Sequence, residues 1–430
     1  MIAVVTYGGE RADELLNRSE EEKTDVQSAV LEVMKAMKEQ GDAAALDFCE
    51  KFDGARLKSL LVTEEEIESA FASVDPQLLQ TMRIAAANIE RFHAQQKRSG
   101  FIDTETEGVV LGQRILPLER VGLYVPGGTA RYPSSVLMNA IPAKLAGVRE
   151  IVMTTPPDKE GNVPAVILAA AKLAGVKTIV KLGGAQAVAA LAYGTQSIPK
   201  VDKVVGPGNI YVATTKQLCF AQGLMDIDMI AGPSEILIIA DEKSNPAHVA
   251  ADLLSQAEHD KLAAAWLVTD SAELAEKVQT ELEKQIPALE RADIARASID
   301  QNGRIIVVDD LKTAAKVAND IAPEHLEICT DSPFDLLPLI TNAGSVFLGR
   351  YTPEPLGDYL AGPNHTLPTS GTARYSSPLG VDDFCKRSSY IYYTQEAFDR
   401  VAEDVHRFAM HEGLTAHANA VAVRKQEEKP

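Results

Sequence analysis

Cysteine is scarce and scattered in this chain. Cys49, Cys219, Cys329 and Cys385 stand far apart, with no C-x-x-C pair, so the sequence encodes neither a disulfide framework nor a zinc knuckle, and a reducing compartment fits. Basic charge is also short: 42 Lys and Arg against 61 Asp and Glu leave a formal net charge of -19. Clustered cations that would displace counterions from a phosphate backbone are missing, which argues against a nucleic-acid partner. A dinucleotide cofactor is compatible with that charge, because backbone N–H groups at helix ends can hold its phosphates. No run of eighteen uncharged apolar residues occurs, and Met1-Ile-Ala-Val-Val-Thr-Tyr-Gly-Gly9 has no basic flank before an apolar core. The expectation is a cytoplasmic protein with no membrane partner. The G-x-G-x-x-G fingerprint of the usual dinucleotide-binding turn is absent too.

What is present is material for more than one core, with 430 residues of which 46% are hydrophobic. Residues 24 to 97 read as helices, opening with Val26, Ala29, Val30, Val33 and Met34 at helical spacing. Thr63 and Glu66 form a capping-box pattern, and Pro76 suits a first helical turn. From Val109 the texture turns to short apolar runs. Ala143-Lys-Leu-Ala-Gly-Val148 recurs as Ala171-Lys-Leu-Ala-Gly-Val176, each copy ending a helix at glycine before a strand. That rhythm predicts βαβ units and a parallel sheet over residues 120–235. It resumes with strands at 236–240, 264–269, 304–308 and 326–329, separated by helices at 246–258, 271–285 and 311–320. The N-terminal helices are expected to cover this second sheet. Residues 350–380 read as a long ordered loop, and 395–417 as one helix.

The predicted fold class is therefore α/β: two doubly wound, incomplete Rossmann-like domains with parallel sheets, an N-terminal helical segment and a C-terminal helical arm. The divisions are 1–23; 24–119 with 236–375, carrying the candidate catalytic and metal residues; 120–235 for the dinucleotide; and 376–430 as an appended arm.

Two islands carry chemistry. Gln256-Ala-Glu-His259 puts an amide and an imidazole three residues apart on one helix face, as two ligands of one ion require. Alone the pair could be an exposed face; Asp358, His365 and His417 are the further donors that would make a zinc-like set. Ala322-Pro-Glu-His-Leu-Glu327 places Glu324 and His325 where a helix gives way to a strand, so the two could act on different protons of one substrate, or simply face water. Glycine-rich turns carry Tyr124, Gln186 and Asn209, and each introduces a helix N-terminus able to receive a pyrophosphate. Ser234 either supplies a hydroxyl ligand or caps a turn. Cys385, beside Lys386 and Arg387, is the one thiol with neighbouring cations that would activate it.

Taken in order, Val121-Gly-Leu-Tyr-Val-Pro-Gly-Gly128, Gly183-Gly-Ala-Gln-Ala187, Val205-Gly-Pro-Gly-Asn-Ile-Tyr-Val212, Ala231-Gly-Pro-Ser-Glu235, Leu254-Ser-Gln-Ala-Glu-His259, Ala322-Pro-Glu-His-Leu-Glu327, Gly362-Pro-Asn-His365 and Glu412-Gly-Leu-Thr-Ala-His417 resemble histidinol dehydrogenase over nearly the full chain. The resemblance implies oxidation of L-histidinol through L-histidinal to L-histidine with two NAD, one zinc ion per subunit and a homodimer. It implies Gln256, His259, Asp358 and His417 as metal ligands and Glu324 with His325 as the acid/base pair. Tyr124, Gln186 and Asn209 would be NAD contacts, and Ser234, His365 and Glu412 would bind substrate beside His325 and the metal ligands. His417, Glu412 and His365 would come from the partner subunit. The competing readings are a dehydrogenase for another primary alcohol, a thiol-dependent aldehyde dehydrogenase and a non-catalytic binding module.

Overall fold

The computed structural model describes residues 1–9, 23–127, 131–230 and 232–425. They form two compact units, Met1–Gln96 with Leu118–Phe384, and Lys97–Pro117 with Cys385–Pro430.

The first unit contains two parallel sheets built on the same winding. In the five-stranded sheet the first strand, Arg120–Tyr124, lies centrally; Glu150–Thr155 and Thr178–Lys181 add on one side, and Lys203–Val205 and Asp226–Ile227 on the other. In the six-stranded sheet Glu235–Ala240 takes the central place. Ala264–Thr269 and Arg304–Val307 add on one side, His325–Cys329 and Ser345–Leu348 on the other. Each order reverses beside its central strand, which makes both sheets doubly wound and gives each a switch point where ligands collect. The α/β class with parallel sheets is thus the one the sequence predicts. A strand absent from that prediction, Ala3–Thr6, pairs with Arg304–Val307 at the sheet edge.

The helices at residues 23–94 pack elsewhere than expected. Lys23–Gln40 lies on Gly184–Tyr193 and Ile210–Ala221, while Glu64–Ser73 and Pro76–Ala94 lie on Ala165–Ala174 and Pro133–Ala146. All of these partners flank the five-stranded sheet, not the six-stranded one. The cause is in the partner helices: Ala185 through Ala192 are all buried, and a helix apolar on every side needs a second layer over it. Helices over the six-stranded sheet, such as Ala272–Gln285, bury one face and leave the other to water, so they need no further cover. The Thr63 capping box forms, its hydroxyl accepting from Glu66 N and the Glu66 carboxylate from Thr63 N; such a cap contributes about 1 kcal/mol.

The second unit holds an antiparallel sheet of Phe101–Asp103, Val109–Pro117 and Cys385–Tyr393, followed by two helices. The expected single helix over 395–417 is instead Gln395–His411 and Thr415–Lys425. Gly413 separates them at φ 75, a left-handed turn that lets the chain reverse so the two helices pack together.

Candidate active site

The island that carries Glu324 and His325 begins with a strained turn. Ala322 ends the helix Leu311–Ile321 in the left-handed region at φ 52 although it is not glycine, a conformation costing about 1–3 kcal/mol and concentrated at functional sites. Pro323 follows, and the strand His325–Cys329 starts at once. Glu324 and His325 therefore sit at the amino end of this strand, next to the start of Glu235–Ala240, with which it pairs. The usual rule puts reactive groups at carboxyl ends. Here the five-stranded sheet obeys it, with Tyr124 ending its strand and Gly184 and Asn209 beyond strand ends, and the six-stranded sheet uses the opposite, amino ends.

Two bonds to one residue fix the pair. Glu324 Oε2 accepts from Glu235 N at 2.9 Å, and His325 Nδ1 lies 3.0 Å from Glu235 O. A carbonyl only accepts, so Nδ1 carries the proton and Nε2 presents its bare lone pair. That Nε2 is buried with no hydrogen-bond partner and stands 3.6 Å from Glu354 Oε1. Burial pushes the His325 pKa down to about 4, against the opposing charge of Asp358, so the ring is neutral and basic in form at pH 7. Burial drives Glu324 the other way, well above the ordinary carboxyl range.

Around them gather the donor groups. Asp358, on the short helix Pro355–Tyr359, lies 3.5 Å from His365 Nδ1. Burial alone would raise Asp358, but the bond to His365 and that residue's charge outweigh it and hold the carboxyl at about 2. Glu354 is pushed up to about 9 by burial and by Asp358. The pair thus presents one ionised and one protonated carboxyl. Gln256 lies in the last turn of the helix Pro246–Ala257, while His259, expected on the same helix face, stands in the turn just beyond its end, with its N–H on Gln256 O at 3.2 Å; burial lowers the His259 pKa. Gln256 Oε1 is buried without a partner, a deficit of about 1–3 kcal/mol.

The ligating atoms of His325, Glu354 and Asp358 lie within 4.8 Å of one another. Glu354 was not among the residues singled out from sequence; its only signal is an acid held between Pro353 and Pro355 in the loop. His365 departs from its expected origin in a partner, since it meets Asp358 of its own chain. Asn364 pins that segment, donating to Met138 O at 2.6 Å, and Ser135 Oγ stands 3.3 Å from His365 Nε2. Ser234 immediately precedes the Glu235 that holds Glu324 and His325. Glu412 and His417 belong to the second unit, where both are exposed along a groove between its two helices.

The donor set fits a zinc ion on chemical grounds: an unpaired amide oxygen, a neutral imidazole and one ionised carboxylate.

Tyr124, Gln186 and Asn209 line one cavity of about 890 Å³, together with Gly127, Pro156 and residues of the first helix. Tyr124 Oη accepts from Gly184 N at 3.1 Å, and the Asn209 side chain caps the next helix through Tyr211 N and Val212 N. Gly206, at φ 115, passes so close to Tyr124 that a Cβ would fall 2.1 Å from its carbonyl oxygen, so only glycine fits this switch point. Gly128 and Ala231, members of two quoted motifs, lie outside the described residues.

The thiols are placed for packing. Burial pushes Cys49 and Cys219 up to about 12 and raises Cys329 as well, which leaves no thiolate at neutral pH. Cys385 is half-buried on a strand of the second unit. Cys385→Ala is expected to retain the wild-type kcat within about twofold; a loss of two orders of magnitude in steady-state assay would restore the thiol mechanism.

Residues 16–425 match the family model described as histidinol dehydrogenase. The chain is 55% identical over 421 residues to the histidinol dehydrogenase of Listeria monocytogenes, covering 97% of this chain and 98% of the relative. It is 55% identical over 412 residues to that of Syntrophotalea carbinolica, covering 95% of each. The crystal structure of histidinol dehydrogenase from Elizabethkingia anophelis is similar at a TM-score of 0.94 and 40% identity, covering 99% of this chain and 98% of that one. With its motifs, fold and nearly full length in agreement, the chain belongs to the histidinol dehydrogenase family of NAD-dependent oxidoreductases.

Proposed function

We propose that the protein oxidises L-histidinol through L-histidinal to L-histidine, the last step of histidine biosynthesis, with two NAD consumed and one zinc ion per subunit. The observation that carries this reading is the bare, buried Nε2 of His325, clustered with Asp358 and Glu354 and close enough to His259 to feel its charge. Gln256, His259 and Asp358 would hold the metal with His417, and a bound zinc would supply a Lewis-acid grip on the substrate's imidazole and amino nitrogens. Ser234, His365 and Glu412 would position the remainder of the substrate. His325 takes the hydroxyl proton at Nε2 while hydride leaves the adjacent carbon for the nicotinamide. Glu324, once deprotonated, draws a proton from the water that adds to the aldehyde, and the hydrate loses the second hydride.

Metal removal tests this directly. Dialysis against a chelator is expected to abolish NADH formation from L-histidinol, and one equivalent of zinc per chain to restore it; undiminished turnover by protein shown metal-free by elemental analysis would refute the reading.

The working form in this proposal is a homodimer whose active sites borrow Glu412 and His417 from the partner. Exposed apolar residues on the second unit support it, among them Phe408 at 72% and Ile391 at 72%. Mixing His417→Ala chains with Glu324→Ala chains should then recover about a quarter of wild-type activity, because random pairing makes half the dimers mixed and each of these has one intact site. Mixtures as inactive as either parent would place His417 in its own chain's site. The net charge of -19 and four scattered cysteines suit a cytoplasmic enzyme that binds no nucleic acid. No described helix is long and apolar enough to cross a membrane.

A further inference from the structure

The cavity that holds Tyr124, Gln186 and Asn209 has a second wall, made by the chain before the first sheet. Phe48, Lys51, Phe52 and Asp53 line it there. Asp53 closes the π-turn Cys49–Asp53, a wider coil that recurs at functional positions, and Gly54 follows at φ 72 to end the turn. The Cys49 thiol, which donates to Lys181 O, lies beside the Asp53 carboxyl. Asp53 Oδ2 is buried with no partner, and the half-buried residue as a whole lines the ligand space. Of the charged residues lining the cavity, Glu32 and Lys51 are exposed to water, whereas Asp53 is half-buried.

No residue of this cavity belongs to the His325 and Asp358 cluster. The nicotinamide must reach that cluster to accept hydride, so the cavity receives the other half of the dinucleotide, the adenosine. An adenosine ribose offers two vicinal hydroxyl donors, and a carboxylate accepts from both. A 2′-phosphate in the same place would meet the negative charge of the half-buried Asp53 carboxylate. Phe48 and Phe52, stacked with centroids 5.6 Å apart, add an apolar flank beside the turn.

We infer that Asp53 is the residue that selects the cofactor, accepting hydrogen bonds from the adenosine ribose hydroxyls and excluding the 2′-phosphorylated dinucleotide. This rests on the proposed NAD-linked function and names which dinucleotide the site admits and why.

Calorimetric titration of the full-length protein with NADH and with NADPH, no substrate present, reads the selection without turnover. Wild type is expected to favour NADH by about a hundredfold or more, and Asp53→Asn to shrink that ratio at least about tenfold, weakening NADH and improving NADPH. An NADH analogue lacking the adenosine 2′-hydroxyl should bind wild type about tenfold less tightly than NADH. The analogue also decides the matter if the Asn variant does not fold, because it requires no mutation. An unchanged ratio in a folded Asn variant, or an analogue as tight as NADH, overturns the assignment while leaving the NAD-linked reading intact. Wild type that binds neither dinucleotide overturns both.

Discussion

Replacing His325 by Asn is expected to lower kcat by about a thousandfold while the protein keeps its full complement of zinc. The magnitude is that of removing a positioned general base. The direction follows from the tautomer: Nδ1 is committed to Glu235 O at 3.0 Å, so Nε2 is the only ring atom free to take a proton. Asn can still donate to the carbonyl, which preserves the turn, but it has no basic nitrogen. Kinetics on the purified variant together with its zinc content separate the two roles His325 could have. A variant that loses its metal in proportion to its activity would show His325 to be a ligand, a reading its 4.8 Å cluster with Asp358 and Glu354 makes concrete.

Glu324→Gln should divide the reaction instead of stopping it. Its second oxidation needs a hydrated aldehyde, and in the account above Glu324 draws the proton from that water. The amide keeps the acceptor for Glu235 N but cannot take a proton, so the second oxidation is expected to slow at least about a hundredfold with the first far less affected. Single-turnover experiments would then show NADH formation stalling near one per site. The pH dependence carries the same sign. Burial raises the Glu324 carboxyl above its ordinary range, so the group is protonated on the acid side of that raised value and becomes a base only as pH climbs through it. The second step in wild type accordingly accelerates with rising pH, and the Gln variant loses that acceleration. A variant that delivers both hydrides at wild-type rates would remove Glu324 from the water step.

Much of this arrangement was legible in the residues because it depends on local signals. Helix stops at Gly147 and Gly175, the capping box at Thr63 and Glu66, and apolar strand runs such as Glu235–Ala240 each report on a few neighbours. The winding of both sheets follows from such units in sequence. What escaped depends on long-range partners. Ala3–Thr6 is a strand only because Arg304–Val307 lies open beside it, some three hundred residues away in sequence. Cys385–Tyr393, with most of its side chains exposed, lacks the alternation that marks a half-buried strand and is held by Val109–Pro117. Placement of the helices before Gln96 was decided by how apolar their partners are on all sides, a property of helices far along the chain. In the site, Glu324, His325, Gln256 and His259 declared themselves by residue type and spacing. Glu354 and Asp53 did not, since an acid in a loop or turn signals nothing until folding buries it and leaves an oxygen without a partner.

The central claim is that one neutral imidazole and one buried acid serve two successive hydride departures from a single carbon. Counting NADH against histidine formed, with L-histidinol limiting and zinc-replete protein, tests it most directly. Two NADH for each histidine and no released aldehyde are expected. One NADH with free histidinal as the final product, or no histidine at all, would contradict it.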